Sequence, residues 1–284
     1  MTDLPLEFDA EYYRDRHADT RHLSIAEAWA HYDTTGRSEG RWGSHWAGRN
    51  TFVELVPKGE ILEIGPGSRP VFAGANVSYF DALTTDQLKA RARTFGEAES
   101  SVPELTYSDP NGDLSSINKT FDAVFSSHLI EHQPDLVSHL NQVERLLRPG
   151  GKYYLLCPDM RFTCDAGMAP STIGDVLQAY VEKRNRHTLA NKINASVMHQ
   201  SNDGKTHWDG LGRERYHYCA ELLLDQIKCH EHDTEYVDVH AWFFTPSRFR
   251  SCLTALNEMG LSRLRPLRVY ETPRPANEFC AILG

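Results

Sequence analysis

The sequence predicts an α/β fold built on a mostly parallel sheet that ends in an antiparallel pair, and three observations carry that prediction. Short β-like runs at residues 61–64, 77–80, 121–125 and 152–157 are separated by polar, helix-compatible stretches, the alternation of a wound parallel sheet. Between the third and fourth runs, Leu136, Leu140, Val143 and Leu147 recur at helical spacing until Arg148-Pro149-Gly150-Gly151 stops them, which makes a strand, helix, turn, strand unit. The chain then closes with two apolar runs, 264–271 and 278–283, with prolines between them. At 284 residues the chain exceeds what one core comfortably serves, so a large domain over 51–284 with a small appendage over 1–50 is expected.

Within the appendage, Leu23, Ile25, Ala28, Trp29 and Tyr32 follow Ser24, an N-cap residue type, and Gly36 supplies a stop, so a short amphipathic helix is predicted there. Residues 36–50 read as a linker in which Trp42 and Trp46 pack onto something. Beyond Asp159 the alternation pauses. Ile173, Val176, Leu177, Tyr180 and Val181 form one helical face, and the following stretch to His232 is polar, aromatic and histidine-rich; about 160–236 is expected to be a helical lid insertion. A strand is predicted at 237–243, followed by Thr245-Pro246 as N-cap and first helical residue and by Gly260 as the stop.

Composition excludes several classes. Apolar residues make up 40% of the chain, yet no run approaches the length of a membrane span. The start, MTDLPLEFDAEYYRDRH, lacks the basic and apolar regions of a secretory signal. Six cysteines without a C-x-x-C pair do not form a disulfide framework, and a cytoplasmic protein beginning near Met1 is expected. A net charge of -9 argues against gripping nucleic-acid phosphates.

The run ending Glu63-Ile64-Gly65-Pro66-Gly67 puts glycines where a backbone turns sharply beside a ligand, although such a pair also serves a plain tight turn. Pro70 stands where a dinucleotide fingerprint needs its third glycine, which argues against a pyrophosphate. Asp81 ends the second run, where a carboxylate can accept from both hydroxyls of a ribose or simply cap a helix. Asp113, followed by Leu114, precedes the third run and can pair with an adenine amino group.

ILEIGPG, the Asp81 strand and GDLSSINKTFDAVFSSHLIEHQPDLVSHLNQVERLLRPGGKYYLLCPD together resemble class I S-adenosylmethionine-dependent methyltransferases of the ubiquinone-type, or type 11, group over roughly residues 52–159. The resemblance implies a Rossmann-like seven-stranded sheet with a reversed final hairpin. It also implies S-adenosyl-L-methionine as cofactor, with Glu63, Gly65, Pro66 and Gly67 along its methionine and ribose, Asp81 on the ribose, Asp113 and Leu114 on the adenine and Ser126 at the methionine end. Pro66-Gly67-Ser68-Arg69-Pro70 departs from the group, where many members carry further small residues.

Methyl transfer from a sulfonium is an in-line displacement, so holding the reactants in line supplies much of the catalysis. A hydroxyl acceptor also needs a base, and histidine suits neutral pH. His128 and His132 follow the third run at the ligand-binding edge of the sheet. The insertion adds His207, His217, His230, His232 and His240, and His217 joins His128 and His132 as a catalytic candidate. His230-Glu231-His232-Asp233 is a metal-binding spacing, but no metal site is favoured over a solvated surface. Trp208, Tyr216, Tyr218 and Trp242 can stack on a sugar or pack in a core.

The segment FDAEYYRDRHADTRHLSIAEAWAHYDTTGRSEGR is similar to helical segments accompanying bacterial polysaccharide glycosyltransferases. RFTCDAGMAPSTIGDVLQAY and DVHAWFFTPSRF look like methyltransferases encoded beside them. These resemblances imply a sugar, nucleotide-sugar or glycan acceptor and glycosyltransferase partners. The alternatives are a natural-product or quinone-like acceptor, or a binding module without chemistry.

Overall fold

The computed structural model describes residues 4–197, 200–212, 219–232 and 237–284. Seven strands form one sheet: β1 (Ile61–Ile64), β2 (Val77–Asp81), β3 (Tyr107–Ser108), β4 (Phe121–Ser127), β5 (Leu147–Pro158), β6 (Pro266–Val269) and β7 (Glu278–Leu283). Their order is β3-β2-β1-β4-β5-β7-β6. β3, β2, β1, β4 and β5 pair in parallel, and β7 runs antiparallel to both neighbours. This is the Rossmann-like sheet with the reversed hairpin that the sequence predicts.

Ten helices surround it: α1 (Ala10–Arg16), α2 (Ile25–His31), α3 (Arg49–Phe52), α4 (Thr85–Thr94), α5 (Leu136–Leu146), α6 (Ile173–Glu182), α7 (Leu189–Val197), α8 (Gly204–Trp208), α9 (Ala220–His232) and α10 (Pro246–Glu258) among the described residues. The sheet is covered on both faces, and the period of two in its strands sorts side chains between two cores. Tyr153, Leu155 and Cys157 of β5 join Phe279, Ala281 and Leu283 of β7 beneath α5 and α10. Tyr154, Leu156, Cys280 and Ile282 face the other way, against Phe52, Val56, Trp42 and Trp46. The 36–50 stretch is therefore packed down, and Trp42 Nε1 donates to Arg274 O at 3.3 Å. A small third cluster of Phe8, Tyr13, Ala28 and Tyr32 holds α1 against α2.

The structure adds one strand that the runs above do not include and removes another. β3 is only two residues long, too short to show a strand period. Residues 237–243 form no strand, because their amides bond loops instead of a ladder. Ala241 and Trp242 N–H donate to Glu131 O at 2.7 and 3.2 Å, and Phe243 N–H donates to Ser171 Oγ at 2.9 Å.

All six cysteines are free, and no described helix is long and apolar enough to cross a membrane. Helix α10 starts as its sequence predicts, with Pro246 in its first turn and Thr245 Oγ1 accepting from Arg248 N at 3.3 Å. Thr245→Ala removes that acceptor and should lower the unfolding free energy by about 1 kcal/mol. Chemical denaturation measures it, and an unchanged midpoint would mean the cap contributes nothing.

Candidate active site

The carboxyl ends of β1, β2 and β4 open onto a cavity of about 760 Å³, the position where open α/β sheets bind ligands. After β1 the chain turns through Gly65 at φ 73° and Gly67 at φ 53°, a left-handed conformation that glycine adopts without steric cost. A Cβ on Gly65 would meet Leu129 Cδ1 at 2.8 Å. Gly65 N–H donates to Phe80 O at 2.8 Å, so the turn is held against the end of β2, and both glycines line the cavity.

Glu63 acts from beneath this turn. Its carboxylate is buried and accepts from Val71 N at 2.8 Å and Phe72 N at 3.0 Å, which folds residues 65–72 back over β1. Burial pushes its pKa up to about 6, against the two amide bonds that stabilise its charge. Neither Glu63 nor the buried Pro66 is among the residues lining the cavity. In the structure the Glu63 carboxylate bonds the backbone of the following loop, while its neighbours Ile64, Gly65 and Gly67 line the cavity.

Asp81 does line the cavity, with Phe80, Leu83 and Leu114. Its Oδ1 accepts from Leu83 N at 3.0 Å. Burial raises its pKa, opposed by the amides of Leu83 and Gly67 and by the charge of Arg91. Asp113 accepts from Ser115 N at 2.9 Å and Ser115 Oγ at 2.8 Å, and its neighbours Pro110, Asn111, Gly112 and Leu114 line the cavity. Ser126 is turned inward: it is wholly buried, with Oγ 2.6 Å from Tyr153 Oη.

His128 follows β4 at φ 49°, a conformation costing about 1–2 kcal/mol in an L-residue. Its Nε2 lies 2.7 Å from Glu278 Oε2, at the start of β7. Glu278 also accepts from Arg49 Nε at 2.7 Å and Nη2 at 2.5 Å, and Arg49 Nη2 reaches Ser127 Oγ at 3.0 Å. Burial works against the charged ring of His128, but the Glu278 bond and the carboxylates of Glu131 and Glu278 outweigh it and raise the pKa. Glu278 is affected oppositely: burial would raise its pKa, and His128 and Arg49 bring it down.

His132 lines the same cavity. Its Nδ1 is 3.1 Å from Asp238 Oδ1 and its Nε2 is 3.6 Å from Glu131 Oε1. Asp238 also pairs with Arg91 Nη2 at 2.6 Å, and these two partners, His132 first, hold its carboxyl well below the usual range. His187, in the turn after α6, faces the cavity too. Its pKa is pushed down to about 4 by burial first and then by His132.

Other expected residues fall elsewhere. His217, Tyr216 and Tyr218 lie outside the described residues, as do Asp233 and the side chains of Glu231 and His232. His207 Nε2 is bonded to Ser201 O at 2.6 Å. Trp208 stacks on Phe162 at 3.8 Å and donates to Ala276 O at 2.9 Å. Trp242 is buried and donates to Gln133 O at 2.6 Å. Both tryptophans are thus packing residues. Arg49, Glu278 and Asp238, which complete this wall, carry no signal in the sequence because none sits in a local motif.

Residues 62–155, from β1 through β5, match the family model described as Methyltransferase domain. The matched segment, about a third of the chain, is similar to methyltransferase domains. It contains Gly65, Gly67, Asp81, Leu114, His128 and His132, whereas Arg49, Glu278 and the helices after β5 lie outside it. No curated protein matches the chain. Among solved structures the chain is similar to a DhpI complex with SAH, at 15% identity over 97% of this chain and 94% of that one, with a TM-score of 0.40. It is also similar to an S-adenosylmethionine dependent methyltransferase from Mesorhizobium loti, at 15% identity over 82% of this chain and 95% of that one, TM-score 0.41. A third is the glycopeptide N-methyltransferase MtfA complexed with S-adenosylmethionine, at 22% identity over 38% of this chain and 48% of that one, TM-score 0.26. The strand order, rather than these loose overlaps, defines the fold.

Proposed function

We propose that the protein transfers the methyl group of S-adenosylmethionine to a hydroxyl of a sugar, nucleotide-linked sugar or glycan, with His128 as the general base. The observation that carries this reading is the His128–Glu278–Arg49 chain on the wall of a methyltransferase-domain cavity. The cavity suits a nucleoside ligand: two left-handed glycines bring backbone close, Asp81 offers a carboxylate at the end of β2, and Phe80, Leu83 and Leu114 supply apolar surface.

S-adenosylmethionine supplies a methyl on a sulfonium, a good leaving group. The chain's residues then have two tasks, to hold the acceptor in line and to take its proton. His128 donates its Nε2 hydrogen to Glu278 and keeps the Nδ1 lone pair for that proton. Arg49 keeps Glu278 ionised and fixed, so Glu278 is a positioning residue. In this reading the turn after α6 forms part of the facing wall, where Asn185, Arg186 and His187 present donors suited to an oxygen-rich acceptor. The resemblances of the N-terminal segment and of residues 161–180 support a place in surface-polysaccharide assembly in the cytoplasm, beside glycosyltransferases.

Asp81→Ala should weaken S-adenosylmethionine binding about 10- to 100-fold, the equivalent of a charge-assisted hydrogen bond or two, as read by calorimetry. No binding to the unaltered protein would remove the enzymatic reading altogether. Incubation with labelled S-adenosylmethionine and candidate glycans tests the acceptor. Label confined to an aromatic acceptor would overturn the sugar.

A further inference from the structure

The short 3-10 turn Ile130–His132 buries Glu131 to 1% exposure, and neither of its carboxylate oxygens has a hydrogen-bond partner among the described residues. A carboxylate buried without compensation costs several kcal/mol. Imidazoles surround it without bonding it: His132 Nε2 lies 3.6 Å and His128 Nδ1 3.9 Å from Oε1. The potential ligand atoms of Glu131, His132 and His240 all lie within 4.8 Å of one another. Such spacings are too long for hydrogen bonds. They approach the roughly 3–3.5 Å between two ligands each about 2.1 Å from a shared ion.

The outer surroundings point the same way. His132 Nδ1 faces Asp238 Oδ1 at 3.1 Å, and His240 Nδ1 bonds Asp165 Oδ2 at 2.8 Å. A carboxylate on one imidazole nitrogen fixes the ring and leaves the other nitrogen with the lone pair, the usual environment of a metal-binding histidine. The two rings stand at 86° with centroids 4.7 Å apart, so their nitrogens can meet one ion from different directions.

We propose that Glu131, His132 and His240 are ligands of one divalent first-row transition-metal ion, with Asp238 and Asp165 orienting the two histidines. Two imidazoles and one carboxylate suit Zn²⁺, Mn²⁺, Fe²⁺ or Co²⁺, whereas Mg²⁺ and Ca²⁺ prefer oxygen throughout. Three protein ligands leave coordination positions open beside the cavity that His132 lines. The sequence draws attention to residues 230–233 for a metal. The structure instead joins the turn after β4 to the segment before α10, which no local spacing connects.

Co²⁺ is the probe. The chelator-treated full chain is expected to bind one equivalent, develop visible d–d absorption and melt at a higher temperature with the ion than without it. Glu131→Gln and His240→Ala should each lower Co²⁺ affinity at least tenfold and abolish the thermal shift. Asp238→Asn should weaken the ion about 10- to 100-fold through the ring it orients. Should Glu131→Gln fail to fold, His240→Ala carries the test, since that side chain is 22% exposed. Absence of saturable Co²⁺ binding, or affinity unchanged in these variants, overturns the site. So does a thiolate charge-transfer band lost in Cys164→Ser, which would put the ion in the neighbouring Cys164–Asp165–His240 group. Calorimetry with S-adenosylmethionine on the metal-free chain is a separate measurement: its failure rejects the methyl donor and leaves the metal site standing.

Discussion

His128→Ala is expected to lower kcat for methyl transfer about 10²- to 10⁴-fold, the range for losing a general base, while S-adenosylmethionine affinity stays within about threefold. The basis is the position of the ring. It stands on the cavity wall with Nε2 committed to Glu278 at 2.7 Å, so the other nitrogen is the one that can accept a proton. A structural role would show differently. His128 adopts φ 49°, and glycine occupies that conformation without the roughly 1–2 kcal/mol an L-residue incurs. His128→Gly therefore separates the two roles: the melting temperature should hold or rise while turnover falls as far as in the alanine variant. A locally strained residue retained at the cavity is what a functional constraint predicts. Turnover unchanged in either variant removes His128 as base.

The legible half of this site is the half that follows strands in the sequence. Gly65 and Gly67 follow β1, Asp81 ends β2 and His128 follows β4, and strand ends can be read from where the short apolar runs stop. Leu136, Leu140 and Val143 likewise announced α5, whose buried face they form. What was not legible depends on tertiary pairing. Glu278 lies 150 residues from His128 and 229 from Arg49, inside a run that reads only as a strand. Asp113 and Ser126 have the residue types the resemblance calls for, yet Ser115 takes up the first and Tyr153 the second. The stretch 237–243 alternates like a strand, but its amides find Glu131 O and Ser171 Oγ, partners that local sequence does not reveal.

Glu63→Ala should destabilise the fold by about 1–3 kcal/mol and weaken S-adenosylmethionine binding at least tenfold, although Glu63 is not among the cavity-lining residues. Its carboxylate is the acceptor for Val71 and Phe72 N–H, and leaving donors unsatisfied costs about 1–3 kcal/mol. The affinity loss follows because the same two bonds hold the loop that carries Gly67 into the cavity. Glu63 also has a signature in pH. Burial raises its folded pKa from 4.5 to about 6, so the native state holds this proton more tightly than the unfolded chain does. The stability linked to that proton is full below about pH 4.5 and is lost as pH rises through about 6. At ~1.4 kcal/mol per pH unit, the interval corresponds to on the order of 2 kcal/mol. Glu63→Gln keeps one acceptor oxygen and cannot titrate, so its stability should fall less than that of the unaltered chain between pH 4.5 and 7. Urea unfolding of both proteins across that range measures the difference. Parallel profiles would show that the buried carboxylate is not the group that titrates.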